Sequence, residues 1–286
     1  MFEKLIGNKD AKDFLNNAVK SNIVSNSYMF VGTSGIGKKI FAKEFAKENM
    51  CLENGKCNDT CDSCVKINGN SNPDFYLVTP DGNSIKIDQI RKLQEDISKK
   101  PTISNRKVYI IDNADLMSEE SQNCLLKTLE EPPEYAIIIL IVTNDSKMLP
   151  TIKSRCVILK FKKIADDELK NYLPDLNDEQ IKLLDGSFEN LENIEEKTND
   201  FEEMKRIASL VKQKELVNLL NGADILYNGK DKINEFLNFL NLIFFNNVMI
   251  ECVEFVEKTK EKLRYNNNYE MCIDNLLMNC WKVSNK

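Results

Sequence analysis

The sequence predicts an α/β domain built on a parallel sheet, with a small cysteine insert, followed by two all-helical regions. Three observations predict it. An apolar run, Tyr28-Met29-Phe30-Val31, leads into a glycine-rich loop and then into a helical pattern, Ile40–Ala46. Two further apolar runs, 107–112 and 136–142, read as strands buried on both faces, as in a parallel sheet covered by helices. Beyond Lys162 no further strand-like run alternates with helices, and only helical periodicity remains. A chain of 286 residues is long for one core, so two or three domains are expected.

Taken in order, residues 2–24 read as one or two helices, with Leu5, Ile6, Ala11, Phe14, Leu15 and Ala18 near helical spacing and Gly7-Asn8 interrupting after the first turn. The glycine loop and its helix follow, then a polar, loop-rich insert over residues 50–68 marked by Gly55, Asn58, Asp59 and Asp62. The stretch Pro73–Gly82 reads as a strand bounded by Pro73 and Pro80, with a turn at Pro80-Asp81-Gly82. A helix from about Asp88, with Ile90, Leu93 and Ile97 on its apolar face, stops before Pro101. Strand 107–112 ends in an acid, Asp112. A helix from Ser118 to Glu131 is broken by Pro132-Pro133, strand 136–142 ends in Thr143-Asn144-Asp145, and Val157–Phe161 is the last strand. Domain 1–162 is then followed by a small helical domain, 163–199, with helices Asp166–Tyr172 and Asp178–Leu184. Region 200–286 carries long helical patterns. There Phe236, Phe239, Leu240, Ile243 and Phe244 share one face, which Leu237, Leu242 and Phe245 widen. Such a face is core more often than a subunit contact.

The loop Gly32-Thr33-Ser34-Gly35-Ile36-Gly37-Lys38-Lys39 follows a strand and opens a helix, the context a phosphate-binding P-loop requires. Its N–H groups and the helix N-terminus would cradle phosphates, and Lys38 would reach the terminal ones. The match to G-x-x-x-x-G-K-[ST] fails at one position. Lys39 stands where a hydroxyl should ligate magnesium, and an ammonium has no lone pair to give a metal. Asp112 sits where such proteins keep a magnesium-organising carboxylate. The next residue is Asn113, which cannot act as a base. Thr143 and Asn144, at the end of a strand, belong to the crevice where open α/β sheets bind ligands. Gly32, Gly35, Gly37 and Lys38 can still hold phosphates, with Lys39 supplying a local positive charge; whether nucleotide binds stays open at this point.

Cys51, Cys57, Cys61 and Cys64 are spaced C-x5-C-x3-C-x2-C. Four thiolates on a short knuckle can close a tetrahedral zinc site, and the segment is too polar to bury unligated thiols. Such a site is closed, so its role is structural; a disulfide pair is the alternative. The other five cysteines are scattered and there is no histidine, which excludes histidine acid–base catalysis and histidine metal ligation. A net charge of −6 argues against DNA binding driven by overall charge. No apolar run reaches the roughly 18 residues a membrane span needs. The N-terminus opens an amphipathic pattern rather than a signal peptide, so the expected location is cytoplasmic.

On these residues the chain resembles the delta prime subunits of the bacterial DNA polymerase III clamp loader, a branch of the AAA+ family. The resemblance is carried by Val31–Lys39, the cysteine module, Asn72-Pro73-Asp74, residues 84–90 and Lys107–Met117. It continues through residues 123–133, which contain Leu125-Leu126-Lys127-Thr128-Leu129-Glu130-Glu131-Pro132, and ends with Ser154-Arg155-Cys156. It covers roughly the first 160 residues, a length typical of one domain. It implies an AAA+ domain with a zinc knuckle, a helical lid over 163–199 and an all-α collar domain over 200–286.

Motor subunits of that family, gamma or tau, keep Gly-Lys-Thr and an Asp-Glu pair. Here Lys38-Lys39 and Asp112-Asn113 replace them, and residues 186–191 lack the lid arginine. The resemblance therefore implies a non-motor subunit with ATP binding weak or absent. Its partners would be the gamma/tau and delta subunits and, indirectly, the sliding clamp and primed DNA, with no membrane. It also implies that Arg155 projects across an interface as an arginine finger to a neighbour's ATP. Two other readings are weighed. A P-loop ATPase in its own right is opposed by Lys39 and Asn113. A zinc-dependent nucleic-acid binder is opposed by the acids Glu53, Asp59 and Asp62 beside Lys56 and Lys66, which make no basic stripe.

Overall fold

The computed structural model describes every residue except 1, 3, 4, 54–56, 58, 214, 266 and 286. Two compact units follow one another, the first ending at Glu192 and the second beginning at Asn193. The loop markers Gly55 and Asn58 lie outside the described residues, as do three of the first four positions of the chain.

The first unit is built on five parallel strands: β1 (Ser27–Val31), β2 (Phe75–Val78), β3 (Lys107–Ile111), β4 (Ala136–Val142) and β5 (Val157–Lys160). Their order is β2-β3-β4-β1-β5. Because all strands are parallel, their C-terminal ends share one edge, and the loops after β1, β3, β4 and β5 meet there. Alternation along each strand divides the core into two layers. Phe30, Ile110, Ile137, Ile139 and Ile141 face α1 (Lys9–Lys20), α2 (Lys38–Met50) and α3 (Asp62–Asn68), packing with Leu15, Phe41, Phe45 and Ile67. Met29, Tyr109, Ile111, Ile138, Leu140 and Val142 face α4 (Ile87–Ile97) and α5 (Glu119–Glu130), packing with Ile90, Leu93, Leu125 and Leu129. The β4 run is wholly buried because helices cover both faces of the sheet.

Among the described residues the N-terminal segment holds one helix, α1. Gly7 and Asn8 take left-handed φ angles of 68° and 52°, which end any first turn and start α1 at Lys9. Asn8 then ties this corner to the far end of the domain. Its side-chain amide donates to Lys162 O at 3.1 Å, and Lys162 N donates to Asn8 Oδ1 at 2.6 Å. Ser118 caps α5 by accepting from Ser121 N.

Asn72-Pro73-Asp74 is a buried polar hinge. The Asp74 carboxylate, fully buried, accepts from the backbone N–H groups of Thr102, Ile103 and Ser104 at 2.7, 2.7 and 2.9 Å. Asn72 donates to Ser63 O at 3.1 Å, and the Ser63 and Ser104 hydroxyls meet at 2.9 Å. Asp74→Ala would deprive three backbone N–H groups of their acceptor, the Ser104 one in the interior at about 1–3 kcal/mol and the two part-buried ones at less each. We expect urea unfolding to show a loss of about 3 kcal/mol or more; a loss under about 1 kcal/mol would contradict this account.

Helices α6 (Pro150–Lys153), α7 (Asp166–Tyr172) and α8 (Asp178–Leu184) complete the first unit. The second is all-helical: α9 (Ile194–Val211), α10 (Leu216–Asn221), α11 (Asp224–Asn228), α12 (Ile233–Asn246), α13 (Ile250–Arg264) and α14 (Tyr269–Ser284). Phe236, Leu237, Phe239, Leu240, Ile243 and Phe244 of α12 are buried, with Phe239 edge-on to Phe201 of α9 at 5.3 Å. Leu242 and Phe245 do not join that face. They are 39% and 64% exposed, since a helix of 3.6 residues per turn cannot point eight of ten consecutive positions one way.

After α12, Val248 adopts φ 59° while 79% exposed. A β-branched residue in the left-handed region is strained by about 1–2 kcal/mol. Val248→Asn, which tolerates that region, should raise the unfolding free energy by about 1 kcal/mol in a denaturant titration; a drop would mean the valine side chain contributes contacts that outweigh its strain.

No helix among the described residues is long and apolar enough to cross a membrane.

Candidate functional site

The loop after β1 is held to the sheet by Gly32 N, which donates to Val142 O at 3.1 Å. Gly37, with φ 87°, is the N-cap of α2, so the helix N-terminus opens onto the loop. Lys38 is 5% exposed. Its ammonium donates to the carbonyls of Gly32 at 2.6 Å and Thr33 at 2.5 Å, folded onto its own loop. Burial pushes its pKa down, against the raising pull of Asp115, Asp112 and Glu189.

Lys39 forms an ion pair with Asp112 at 2.9 Å. The two positions that would organise magnesium are therefore bonded to each other. One has no lone pair to offer, and the carboxylate of the other is already neutralised by an ammonium.

The segment after α8 covers the loop. Phe188 N donates to Gly35 O at 2.9 Å, and Ser187 Oγ donates to Ser34 O at 3.2 Å. Gly35 has φ 71°, and a Cβ there would collide with the Ser187 hydroxyl and lie 2.6 Å from Glu189 Cβ. Glycine at 35 thus serves this close approach as well as the turn. At the end of β4, the Thr143 and Asn144 N–H groups donate to the Asp115 carboxylate at 3.0 and 3.3 Å. The Asn144 side chain accepts from Ser146 N at 3.0 Å. Asp115 was not legible as part of this site, and Ser187 and Glu189 were so only as members of the 186–191 segment that the resemblance places near the phosphates. Their contacts reach back over 28 to 153 residues, and no spacing rule links them to the loop.

The four cysteines converge as their spacing suggests. Cys51, Cys57, Cys61 and Cys64 are all buried, with sulfurs within 4.8 Å of one another. Cys57 Sγ lies 3.3 Å from Cys51 Sγ and 3.6 Å from Cys64 Sγ. A tetrahedral Zn–S4 centre with bonds of about 2.3 Å has S···S edges of about 3.8 Å, so the donor set fits. A disulfide requires about 2.05 Å, and all four are free thiols. Burial raises the Cys57 thiol, yet hydrogen bonds from Cys61 and from the Cys51 and Cys64 thiols outweigh it and bring it to about 6, while burial drives Cys64 upward. Four sulfurs packed this closely cannot all ionise without a cation among them. The insert's helix α3 starts between Cys61 and Cys64, placing Cys64 on its first turn.

Arg155 stands apart from the loop. It follows α6, and its guanidinium donates to Glu130 Oε1 at 2.7 Å and to Thr151 O at 2.8 Å, with one third of the side chain exposed. Beside it, burial pushes the Cys156 thiol up to about 12, which makes it an inert packing residue. Arg155 therefore sits on the surface with donors to spare, whereas Lys38 is buried against its own loop and Lys39, half-exposed, is paired with Asp112.

The chain is similar to known proteins. The family model described as DNA polymerase III, delta subunit, matches residues 7–165. DNA polymerase III subunit delta' of Bacillus subtilis is 35% identical over 212 residues, covering 73% of this chain and 64% of that protein. DNA polymerase III subunit gamma/tau of Mycoplasma pneumoniae is 33% identical over 220 residues, covering 72% of this chain and 32% of that one. The chain thus spans less than two thirds of these relatives' own length. The crystal structure of a DNA polymerase III gamma subunit-related protein from Thermotoga maritima shares the fold with a TM-score of 0.52 at 18% identity, over 94% of this chain and 99% of that one. The altered loop, the four-cysteine insert and the Ser154-Arg155-Cys156 turn all lie within the residues the family model matches, and the chain belongs to the DNA polymerase III delta-subunit family.

Proposed function

We propose that this chain is a non-motor, delta prime-type subunit of a DNA polymerase III clamp loader, acting in replication by helping place a sliding clamp on primed DNA. The observation that carries this reading is the Lys39–Asp112 ion pair at 2.9 Å, which engages both magnesium positions of its own nucleotide site. The Ser187–Glu189 segment over Gly35 adds an acid beside Lys38, where a phosphate would otherwise lie. ATP binding here is weak or absent.

Arg155 acts in trans. A guanidinium is permanently charged and forked, which suits the charge developing on a neighbour's γ-phosphate. The neighbour is a gamma/tau-type motor subunit, a delta subunit completes the assembly, and the clamp and primed DNA are reached through it. The four cysteines hold a structural zinc, which when bound supplies a cross-link and no reaction chemistry. Residues 163–192 serve as the lid and the second unit, from Asn193, as the collar region joining the subunits, because a boundary at 199/200 would fall inside α9.

The test is single-turnover ATP hydrolysis by a complex reconstituted from this chain with gamma/tau, delta, clamp and primed DNA. Arg155→Ala should remove one fast phase, and Lys38→Ala should leave the phases unchanged. The reverse pattern would make this chain an ATPase in its own right.

A further inference from the structure

Glu130 is the last residue of α5, and Glu131 follows it. Local helix chemistry does not favour acids there, because the C-terminal carbonyls already carry partial negative charge. What Glu130 does instead is bond Arg155 across 25 residues of sequence, at 2.7 Å. The anchor is rigid. Leu125 and Leu129 of α5 are buried in the sheet core, and Gln94 bonds both Cys124 O at 2.7 Å and Thr128 Oγ1 at 3.0 Å. Arg155, by contrast, follows a helix of only four residues.

The geometry is a two-point hold. One terminal nitrogen of the guanidinium donates to Glu130 and the other to Thr151 O. A guanidinium has five N–H donors in one plane, so the bonds to Glu130, to Thr151 O and, at 3.4 Å, to Ser154 Oγ set the plane and leave others for a second anion. Arginine loses much rotamer freedom when immobilised, and holding it beforehand removes that cost from the binding step. With the Arg155 and Glu130 side chains 33% and 49% exposed, the pair is too weak to withhold the arginine from a triphosphate.

We propose that Glu130 is the positioning residue for Arg155, aiming the guanidinium at the triphosphate tail of a nucleotide held by the neighbouring subunit. This rests on the trans role proposed above for Arg155.

The experiment is single-turnover ATP hydrolysis at varied ATP by the reconstituted complex. It compares wild type, Glu130→Gln, Glu130→Asp, Arg155→Ala and the Glu130→Gln/Arg155→Ala double variant. Glu130→Gln is expected to slow the Arg155-dependent phase by about threefold to fivefold, the factor that losing a half-exposed ion pair allows. Its half-saturating ATP concentration should stay within about twofold. Glu130→Asp should restore part of the rate, and the double variant should be no slower than Arg155→Ala. Melting of the complex is read alongside and should move by no more than a few degrees. A wild-type rate for Glu130→Gln would overturn the proposal while leaving the Arg155 role intact. So would a Glu130→Gln loss that persists in the Arg155→Ala background. An Arg155→Ala complex at the wild-type rate would overturn both.

Discussion

Arg155→Ala is expected to slow ATP hydrolysis at the facing motor site by about three to five orders of magnitude, the range for an arginine finger supplied in trans. The size follows from what is removed. A γ-phosphoryl in transfer spreads negative charge over its oxygens, and a preorganised cation in a water-poor interface stabilises that charge far more than water does. Lysine is a poor substitute, because a point charge on a flexible stem lacks the planar fork, so Arg155→Lys should recover only a minor part of the rate. One subunit serves one interface, so the loss appears as the disappearance of a single fast phase rather than as silence of the whole complex. The isolated chain should be unaffected, since Arg155 is exposed and its pair with Glu130 is worth about 1 kcal/mol at most. A small, uniform slowing of every phase would instead point to altered assembly.

Removing metal from the four-cysteine cluster should unfold the insert around residues 51–64. Structural zinc in small Cys-rich modules supplies on the order of 10 kcal/mol of folding free energy at neutral pH. The insert's four cysteines form a hydrophobic cluster of their own, separate from the two layers that cover the sheet. The damage should spread in one direction, because Ser63 bonds Ser104 and Asn72 and so ties α3 to the Asp74 hinge. Chelator treatment followed by limited proteolysis should give cleavage inside the insert first and near residues 102–104 next. Cys64→Ser should reproduce the pattern without chelator. Because the ligands must be thiolates, metal should be lost as pH falls. Stoichiometric zinc by elemental analysis is expected. Protein that contains none, yet resists proteolysis across 51–64, would refute the structural metal.

The first unit was largely legible from local pattern. β1, the glycine loop and α2 were read from an apolar run, three glycines and a helical period. β4 was read from seven apolar residues in a row, and α7 and α8 from their periodic faces between acidic starts. The cysteine site was legible for the same reason, since four sulfurs within 14 residues cannot lie far apart. The second unit was less so. Its helices were visible, but the facing of Leu242 and Phe245 was not, because composition alone does not say which side of an apolar helix has neighbours.

What the sequence determined by itself is chemical identity. Lys39 has no lone pair for a metal, Asn113 is no base, and Arg155 is a permanent forked cation; none of these facts depends on coordinates. What only the tertiary structure decided is how the groups pair. Lys39 meets Asp112 because parallel β1 and β3 end at the same edge. Glu189 lies beside Lys38 because the segment after α8 folds back over Gly35. Glu130 meets Arg155 because α5 and α6 pack side by side. Helical and strand periods fix contacts only a few residues apart, whereas these partners are set by strand order and loop return, which no local period records.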